Sequence, residues 1–495
     1  MQVPPPGTPP TGSRKVLGDT ALTVAERIIS QVAQFTIFVL AARILGPADY
    51  GVFALVAASA ILLLRVAEVG WAPFIMSQSG DDTVPRQVLL IAIFAGILVG
   101  GVGLAGAGVA QIMNASHDIV WLTLLFSVWV MLANTSSAQK GVLIWQGRMK
   151  ASAICEIAGE IVGLIVGAAT LLTGWGLLAL AFARLAYQTT HLTLSFAITR
   201  LGPKTGMTRD LMRELWVFSA QIFTSRMLIN IRLYTATFII GGFLGPTAVG
   251  LFRAADRLVS AAAEVIAVPG QLLAWTLLRK ARDGGDAETR QARINAQVSQ
   301  HIKMITMAGA PLLIWLMVMS DEVIGGLLSA EWAAAAPLVA ILAISRLLFI
   351  FGILTEPLMS IVGQAGRLPA FTLLVLIVSV VLTLIAAQFG VYAVAWAQVL
   401  IAAIVLAATV WLFRKHAGVD WGLVAVALRG ALAPLAVGVG FLMIADVAAA
   451  PFGLPDLAEA LVFGGLACLV YAAAIRWLDP DGWRTLTGGF RTGGA

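Results

Sequence analysis

The chain has 495 residues, of which 59% are hydrophobic and only 12% are charged, about half the charge of a typical soluble protein. This composition excludes a soluble protein, a disordered chain and a fibre, and the mean hydropathy of +0.92 indicates a polytopic membrane protein. The net charge of +6 would suggest a nucleic-acid partner in a soluble protein. In a membrane protein it reflects topology, and we expect no nucleic-acid partner.

The N-terminal segment and the cysteines limit the chemistry further. Residues 1–15 are rich in proline and lack the apolar core of a cleavable signal peptide, so we expect a disordered cytoplasmic tail. Cys155 and Cys468 lie in apolar stretches with no ligand-type residue at metal spacing. The sequence therefore predicts no disulfide framework, no metal site and no cofactor. The four histidines fall near predicted helix ends, and we expect them at the surface.

Fourteen segments are long and apolar enough to cross about 30 Å of hydrocarbon as helices, so the predicted fold class is all-α. The fourth ends in the polar run Asn134 to Ser137, and the ninth is short. The predicted spans are 18–42, 50–77, 88–111, 119–138, 151–172, 176–199, 215–241, 248–277, 304–319, 333–362, 369–386, 391–413, 423–445 and 458–476.

The basic residues test this number independently, because lysine and arginine near helix ends favour the cytoplasmic side. Every second loop is basic, whereas the opposite loops together hold only Arg43. An error of one helix would scramble the alternation. The pattern therefore predicts fourteen helices with both termini in the cytoplasm. The longest cytoplasmic loop, 278–303, is rich in basic residues that are typical of an anchor on anionic lipid.

An internal repeat relates two parts of the chain. Leu45-Gly46-Pro47, followed by Gly51 and Phe53, recurs as Leu244-Gly245-Pro246, followed by Gly250 and Phe252. At the same offset Arg27 aligns with Arg226, and Gln31 aligns with Asn230. Six helices separate the copies, so the repeats are parallel, which is typical of transporters. The alternative is ordinary turn chemistry, because Gly-Pro often joins two helices.

The repeat predicts two six-helix halves and an additional helix pair. The expected organisation is a disordered tail at 1–15, an N-terminal half at 16–200, a C-terminal half at 201–415, helices 13 and 14 at 416–478, and a cytoplasmic tail at 479–495.

Nine arginines lie inside predicted spans, and six of them fall on the repeat-related helices one, two, seven and eight. At about 2.5 to 3.5 kcal/mol each, six lipid-facing arginines would cost roughly 15 to 20 kcal/mol, more than a typical folding stability of about 5 to 15 kcal/mol. We therefore expect them to face protein or water and to line one cationic cavity. The candidate cavity residues are Arg27, Gln31, Arg65, Arg226, Asn230, Arg232, Arg253 and Arg257.

A guanidinium can donate two parallel hydrogen bonds to phosphate, so such a cavity would bind an anion. The alternative is that the arginines hold helices together, in pairs such as Arg65 with Glu68 or Arg253 with Asp256. These pairs have the spacing of neighbours on one helix face.

Three of the glutamates in predicted spans have interpretations of their own. Glu156 and Glu160 stand one helical turn apart and are candidates for coupling transport to an ion. The alternative is a polar helix face or a pairing with Arg184. Glu356, beside Pro357, is expected to pair with an arginine such as Arg346.

Several stretches resemble the multidrug/oligosaccharidyl-lipid/polysaccharide exporter superfamily, and within it the bacterial O-antigen or exopolysaccharide repeat-unit flippases. The resemblance covers roughly residues 15–415. It is carried by the stretch from Ala42 to Phe53, by Phe243 to Phe252, by Trp145 to Lys150, and by Glu331-Trp332 with Ala335, Ala336 and Pro337.

The resemblance implies a flippase, not an enzyme, that moves undecaprenyl-pyrophosphate-linked oligosaccharide across the bacterial inner membrane for lipopolysaccharide or exopolysaccharide synthesis. The loops with Gly46, Pro47, Gly245 and Pro246 would gate its external side. The implied partners are the lipid-linked oligosaccharide, membrane lipid, a counter-ion (H⁺ or Na⁺) and polysaccharide-assembly proteins. Alternatives are a lipid II flippase, a multidrug cation exporter of the same superfamily, and a membrane polysaccharide polymerase or ligase. A cation exporter would need acidic cavity residues, and an enzyme would need a substantial external loop.

Overall fold

The computed structural model describes residues 13–286, 288–449 and 454–484, and every regular element in these ranges is helical. The expected tails at 1–15 and 479–495 lie mostly outside the described residues. The chain forms two compact units. Unit 1 contains the residues up to Leu45 together with Val56–Asn230, and unit 2 contains Gly46–Leu55 together with the residues from Ile231 onward.

The first seven helices belong mainly to unit 1. They are α1 (Ser13–Ile44), α2 (Pro47–Ala67), α3 (Trp71–Ser77), α4 (Thr83–Ile112), α5 (His117–Trp145), α6 (Met149–Leu172) and α7 (Leu178–Thr199). Within unit 1, α6 packs on α1 and α7, and α5 packs on α3, α4 and α7.

The long helix α8 (Arg209–Asp283) begins in unit 1 and continues into unit 2. It is interrupted at Gly245, whose φ of 80° and ψ of 178° are not helical. Unit 2 then contains α9 (Arg290–Val318), α10 (Ser320–Leu327), α11 (Ala336–Phe349), α12 (Thr355–Ile361), α13 (Leu368–Ala387), α14 (Val391–Leu412), α15 (Trp421–Ala449) and α16 (Asp456–Leu478). Here α15 packs on α9 and α16, and α14 packs on α11 and α13.

Twelve stretches of the described chain are long and apolar enough to cross a membrane. The stretch Met227–Asp283 combines most of the predicted span 215–241 with all of 248–277, because α8 continues through the interruption at Gly245. The predicted span 176–199 forms α7 but is not one of the twelve. The all-α membrane fold is confirmed, whereas the number of fourteen helices and their orientation stay predictions.

Two local expectations were wrong. The predicted loop 278–303 is largely helical, since α8 ends at Asp283 and α9 begins at Arg290. The polar run at Asn134 does not end a helix, because α5 continues to Trp145. Asn134 is fully buried, where its amide donates to the Ala92 carbonyl and its oxygen accepts from the Trp71 indole at 3.1 Å. These bonds allow a polar residue to lie in the interior of unit 1.

Glycines allow the helices α6 and α7 to pack closely in unit 1. Gly159, Gly163 and Gly167 are four residues apart and lie on the face of α6 that contacts α7. A β-carbon at Gly163 would lie 2.9 Å from the Ala183 carbonyl oxygen, closer than side chains normally approach. Membrane helices associate through such small residues, because burial from lipid provides little hydrophobic driving force.

The outer surface carries large apolar side chains. Leu98 is 73% exposed, Ile112 is 81% exposed and Ile444 is 70% exposed. Exposed apolar area of this kind would cause aggregation in water, whereas it matches the hydrocarbon core of a bilayer. The lipid-facing surface agrees with the composition.

Candidate functional site

Unit 2 encloses a polar cavity of about 250 Å³. Residues of α8 line one side of it, and residues of α11, α13 and α14 line the others. We call it the arginine cavity. Its charged lining residues are Arg232, Arg253, Asp256, Arg257, Glu264 and Arg346. Tyr234, Ser260, Ser345, Ser379, Thr383 and Gln398 add polar groups.

The course of α8 explains how three arginines reach one cavity. Arg232 lies before the interruption at Gly245, and Arg253 and Arg257 lie after it. Residues four apart on a helix share a face, so Arg253 and Arg257 point the same way. The interruption allows one long helix to contribute side chains from both of its segments.

One carboxylate holds two of the four guanidinium groups. Asp256 Oδ1 accepts from Arg346 Nη2 at 2.8 Å, and its Oδ2 accepts from Arg253 Nη1 at 3.2 Å. Ser260 Oγ accepts from Arg346 at 3.0 Å. Arg253 also lies over the Tyr234 ring, 5.8 Å from its centre, an arrangement that attracts a cation to the π electrons. The predicted pair of Arg253 with Asp256 is therefore confirmed.

Arg232 and Arg257 differ from Arg253 and Arg346, the two arginines that Asp256 binds. In the part of the chain that the structure describes, neither forms an ion pair with a carboxylate. The cavity thus contains four guanidinium groups and two carboxyl groups. Such an excess of positive charge in a confined space attracts anions, and phosphate suits the guanidinium donors. The cavity volume is smaller than that of typical sites for drug-sized ligands. The cavity can therefore hold a charged group of a ligand but not a whole oligosaccharide.

The expected pair of Arg346 with Glu356 was wrong. Arg346 binds Asp256 instead, and Glu356 accepts a hydrogen bond from Gln271 at 3.2 Å. The two residues lie on separate helices, α11 and α12, with the 3₁₀ turn Ile350–Leu354 between them. Arg346 lies beside Asp256 of α8 in the arginine cavity, and that carboxylate accepts its hydrogen bond.

The candidate cavity residues before Ile231 belong to unit 1. Arg65 forms an ion pair with Glu68, as its spacing predicts, and Ser137 donates to the same carboxylate at 2.6 Å. Arg27 is exposed, whereas Gln31 and Asn230 are half-buried. The side chain of Arg226 lies outside the described set. The structure thus brings together Arg232, Arg253 and Arg257, and the role of the other candidates stays a prediction.

Unit 1 contains a second polar cluster, which we call the His191 network: Ser136, Lys140, Glu156, Tyr187 and His191. Glu156 is buried and accepts from Lys140 Nζ at 2.5 Å and from Tyr187 Oη at 2.5 Å. His191 is only 2% exposed, and its Nδ1 bonds with Ser136 Oγ. Its Nε2 lies 3.7 Å from Glu156 Oε1. The network joins α5, α6 and α7.

The structure contradicts the expectation for the histidines, whereas the ion-coupling role of Glu156 and Glu160 stays a prediction. Surface positions were expected for all histidines, but His191 and His301 are buried. His301 Nε2 lies 3.0 Å from the Gly270 carbonyl oxygen, which gives that ring a hydrogen bond inside unit 2. Of the two glutamates proposed for ion coupling, Glu156 lies in the network. Glu160 accepts from Gln34 Nε2 at 2.8 Å.

The two Gly-Pro segments cross each other within unit 2. A β-carbon at Gly51 would lie 1.8 Å from the Pro246 carbonyl oxygen, and one at Gly250 would lie 1.9 Å from the Pro47 carbonyl oxygen. The contact is reciprocal between residues that the repeat relates. Side chains at either position would separate the two backbones.

A further stretch quoted for the family resemblance lies beside this crossing. The Trp332 ring meets the Tyr50 ring edge-on at 5.7 Å between centres, and Trp332 is fully buried. The carboxylate of Glu331 approaches Gly46, where a β-carbon would lie 2.7 Å from its Oε2. Two sequence stretches far apart in the chain therefore form one packed cluster. Whether this cluster gates the external side stays a prediction.

Sequence analysis did not identify several residues of the arginine cavity and of the His191 network. Arg346 was recognised as an intramembrane arginine but not as a cavity residue, and Lys140 was counted as part of a loop. For Lys140 a usable signal existed, since the helical pattern continues to Trp145. For Arg346 the partner comes from α8, 90 residues away in sequence, and no local pattern could reveal it.

Residues 39–337 match the family described as polysaccharide biosynthesis protein. The succinoglycan biosynthesis transport protein ExoT of Rhizobium meliloti (strain 1021) is 21% identical over 370 residues, which cover 73% of this chain and 72% of ExoT. The teichuronic acid biosynthesis protein TuaB of Bacillus subtilis (strain 168) is 22% identical over 292 residues, which cover 58% of this chain and 59% of TuaB.

Solved structures share the fold. The lipid II flippase MurJ, in an inward closed conformation, aligns with a TM-score of 0.68 at 14% identity. The alignment covers 92% of this chain and 98% of the MurJ chain. An inward-facing multidrug resistance MATE transporter of the MOP superfamily aligns with a TM-score of 0.64 at 15% identity. This alignment covers 78% of this chain and 95% of the transporter chain. At such identity the likeness concerns the fold alone.

Proposed function

Because the chain belongs to the polysaccharide biosynthesis protein family, we propose that it is a flippase for an anionic lipid-linked oligosaccharide. The cargo is a polyprenyl-pyrophosphate carrying a saccharide repeat unit, and the membrane is the bacterial inner membrane. The product supplies lipopolysaccharide or exopolysaccharide synthesis. A relative whose name describes a transport protein supports the transport role.

The observation that carries the proposal is the excess of guanidinium groups in the arginine cavity. Asp256 partly neutralises Arg253 and Arg346, whereas Arg232 and Arg257 have no carboxylate within ion-pair distance among the described residues. The pyrophosphate is the part of the cargo that matches these groups in charge and in hydrogen-bond geometry. The polyprenyl chain would remain in lipid.

The membrane potential favours outward movement of such a cargo. Moving one charge across 100 mV is worth about 2.3 kcal/mol. With the cell interior negative, two uncompensated phosphate charges would gain roughly 4 to 5 kcal/mol on leaving. An anion can therefore be exported without a coupled ion, although the proposal also admits a counter-ion.

The proposal is tested with purified protein in liposomes and a defined pyrophosphate-linked oligosaccharide whose leaflet is read by an impermeant enzyme. Arg232→Gln and Arg257→Gln should each slow translocation about 10- to 100-fold, because a charge-assisted hydrogen bond contributes about 1.5 to 3 kcal/mol. Arg414→Gln is the matched control, since Arg414 is exposed and lies outside the cavity. Equal rates for all four proteins would contradict the proposal.

The same assay separates the rival functions. A multidrug cation exporter would move a fluorescent organic cation and leave the oligosaccharide in place. A polymerase or ligase would lengthen or transfer the saccharide, which mass spectrometry of the recovered lipid detects. Lipid II, offered as a second cargo, distinguishes a lipid II flippase from one that moves longer repeat units.

A further inference from the structure

The His191 network contains a buried ring nitrogen that the proposed function does not use. Nε2 of His191 has no hydrogen-bond partner among the described residues, although the side chain is only 2% exposed. Glu156 Oε1 lies 3.7 Å from it. That distance exceeds a hydrogen bond but is within reach of a small movement.

The groups around His191 come from four helices. Lys140 and Ser136 lie on α5, Glu156 and Glu160 lie on α6, and Tyr187 lies on α7 one turn before the histidine. Glu26, on α1, interacts electrostatically with both Lys140 and Glu156. Arg27 on α1 and Arg184 on α7 add positive charge to the same cluster, so three glutamates face three cations. The carboxylate closest to the free ring nitrogen is that of Glu156, which makes Glu156 the counter-charge available to a protonated His191.

We infer that the His191 network is a proton-binding site, in which His191 Nε2 takes up a proton and Glu156 is its counter-charge. The step is a simple protonation. The proposed step starts from the neutral ring with its hydrogen on Nδ1, directed at Ser136 Oγ, and a proton from water then binds the lone pair of Nε2. The charge of His191, Glu156 and Lys140 together rises from zero to plus one.

Protonation changes the partners of Glu156. The same carboxylate oxygen, Oε1, accepts from Lys140 and faces His191. An imidazolium drawn to Oε1 competes with the Lys140 ammonium for it. The Lys140 side chain is already 39% exposed, so water or an anion can replace the carboxylate as its partner. The site therefore couples proton uptake to the release of a lysine, and this coupling to transport rests on the proposed function.

Two measurements on the full chain test the inference. The first is NMR titration of the four ring-labelled histidines in detergent, with His191→Gln to assign one signal. We expect the His191 signal to titrate between about pH 5 and 8, the range in which histidine changes charge. In the Glu156→Gln variant, the pH-dependent change of the His191 signal should disappear or move to a different pH. A His191 ring that keeps one chemical shift across this range would overturn the inference.

The second measurement is the liposome translocation assay as a function of pH. We expect the wild-type rate to change at least several-fold across the range in which His191 titrates, and His191→Gln and Lys140→Gln to flatten the profile. His117→Gln is the matched control, because that ring is exposed and contacts Trp121. An unchanged profile in His191→Gln would overturn the coupling.

The two readouts keep the two proposals apart. If His191 titrates as described while the oligosaccharide does not move, the proton site stands and the proposed cargo is wrong. If the oligosaccharide moves with the same pH profile in wild type and His191→Gln, the proposed function stands and the coupling is wrong. Ser136→Ala is a milder variant that keeps the histidine, and it should shift the titration without abolishing it.

Discussion

Asp256 joins two of the four arginines of the cavity, so Asp256→Asn removes one charge and keeps the side-chain shape. Two ion pairs are lost, with Arg346 at 2.8 Å and with Arg253 at 3.2 Å. The three side chains are 21%, 34% and 29% exposed, which places the pairs between surface pairs of about 0 to 1 kcal/mol and buried pairs whose rupture costs about 3 to 5 kcal/mol. About 1 to 2 kcal/mol for each pair gives a loss of about 2 to 4 kcal/mol.

The assay for this prediction is reversible unfolding in mixed micelles, with the free energy of unfolding as the readout. Asp481→Asn is the matched control, because Asp481 and Arg484 form a pair at 3.5 Å with side chains 90% and 80% exposed. The control should change the free energy by well under about 1 kcal/mol. A second readout is binding of inorganic pyrophosphate, which should not weaken in Asp256→Asn, since two guanidinium groups lose their competitor. A variant as stable as wild type, or one that binds pyrophosphate more than about tenfold less tightly, would refute the reasoning.

Three further perturbations test the packing of unit 2. Gly250→Ala places a β-carbon 1.9 Å from the Pro47 carbonyl oxygen, so we expect a loss of at least about 1 to 3 kcal/mol; Gly242→Ala, which meets no atom within 4 Å, is the control, and equal thermal stability would count against the crossing. Trp332→Ala removes a fully buried ring and should cost about 3 to 5 kcal/mol in the unfolding assay; a loss below about 1 kcal/mol would be inconsistent with that burial. Burial, together with nearby carboxylates, raises the pKa of the Glu322 carboxyl. Its stabilising effect is therefore present below the ordinary glutamate pKa and is lost as the pH rises through the raised value. Glu322→Gln should be more stable than wild type at pH 7, with a gap that closes near pH 4, and a gap that widens on acidification would show the opposite sign.

The membrane fold could be predicted because it depends on a property averaged over many residues. Each apolar segment of about twenty residues leaves one way to satisfy its backbone in lipid, which is a helix. Details that depend on single residues were less predictable. The polar run at Asn134 looks like a helix end in sequence, but the buried Trp71 indole and the Ala92 carbonyl satisfy the amide inside unit 1.

The candidate site could be predicted where the partners are close in sequence. Arg65 with Glu68, and Arg253 with Asp256, have three-residue spacing and form the expected pairs. The partner of Arg346 lies on another helix, 90 residues away in the chain, and no local pattern reveals it.

The His191 network shows the same limit. Glu156 was a candidate from sequence, whereas Lys140 and Tyr187 reach it from neighbouring helices. Helix packing brings them together, and a single sequence holds no direct record of that packing. Long-range contacts therefore decide which of the titratable residues act together.

The central claim is that guanidinium groups in unit 2 recognise the phosphate of a lipid-linked cargo. The most direct measurement compares two cargoes in the liposome assay, the same oligosaccharide on polyprenyl pyrophosphate and on an uncharged polyprenyl glycoside. We expect the pyrophosphate cargo to move at least tenfold faster in wild type, and the double variant Arg232→Gln, Arg257→Gln to remove that preference. Equal rates for the two cargoes in wild type, or a double variant that slows both to the same extent, would contradict the claim.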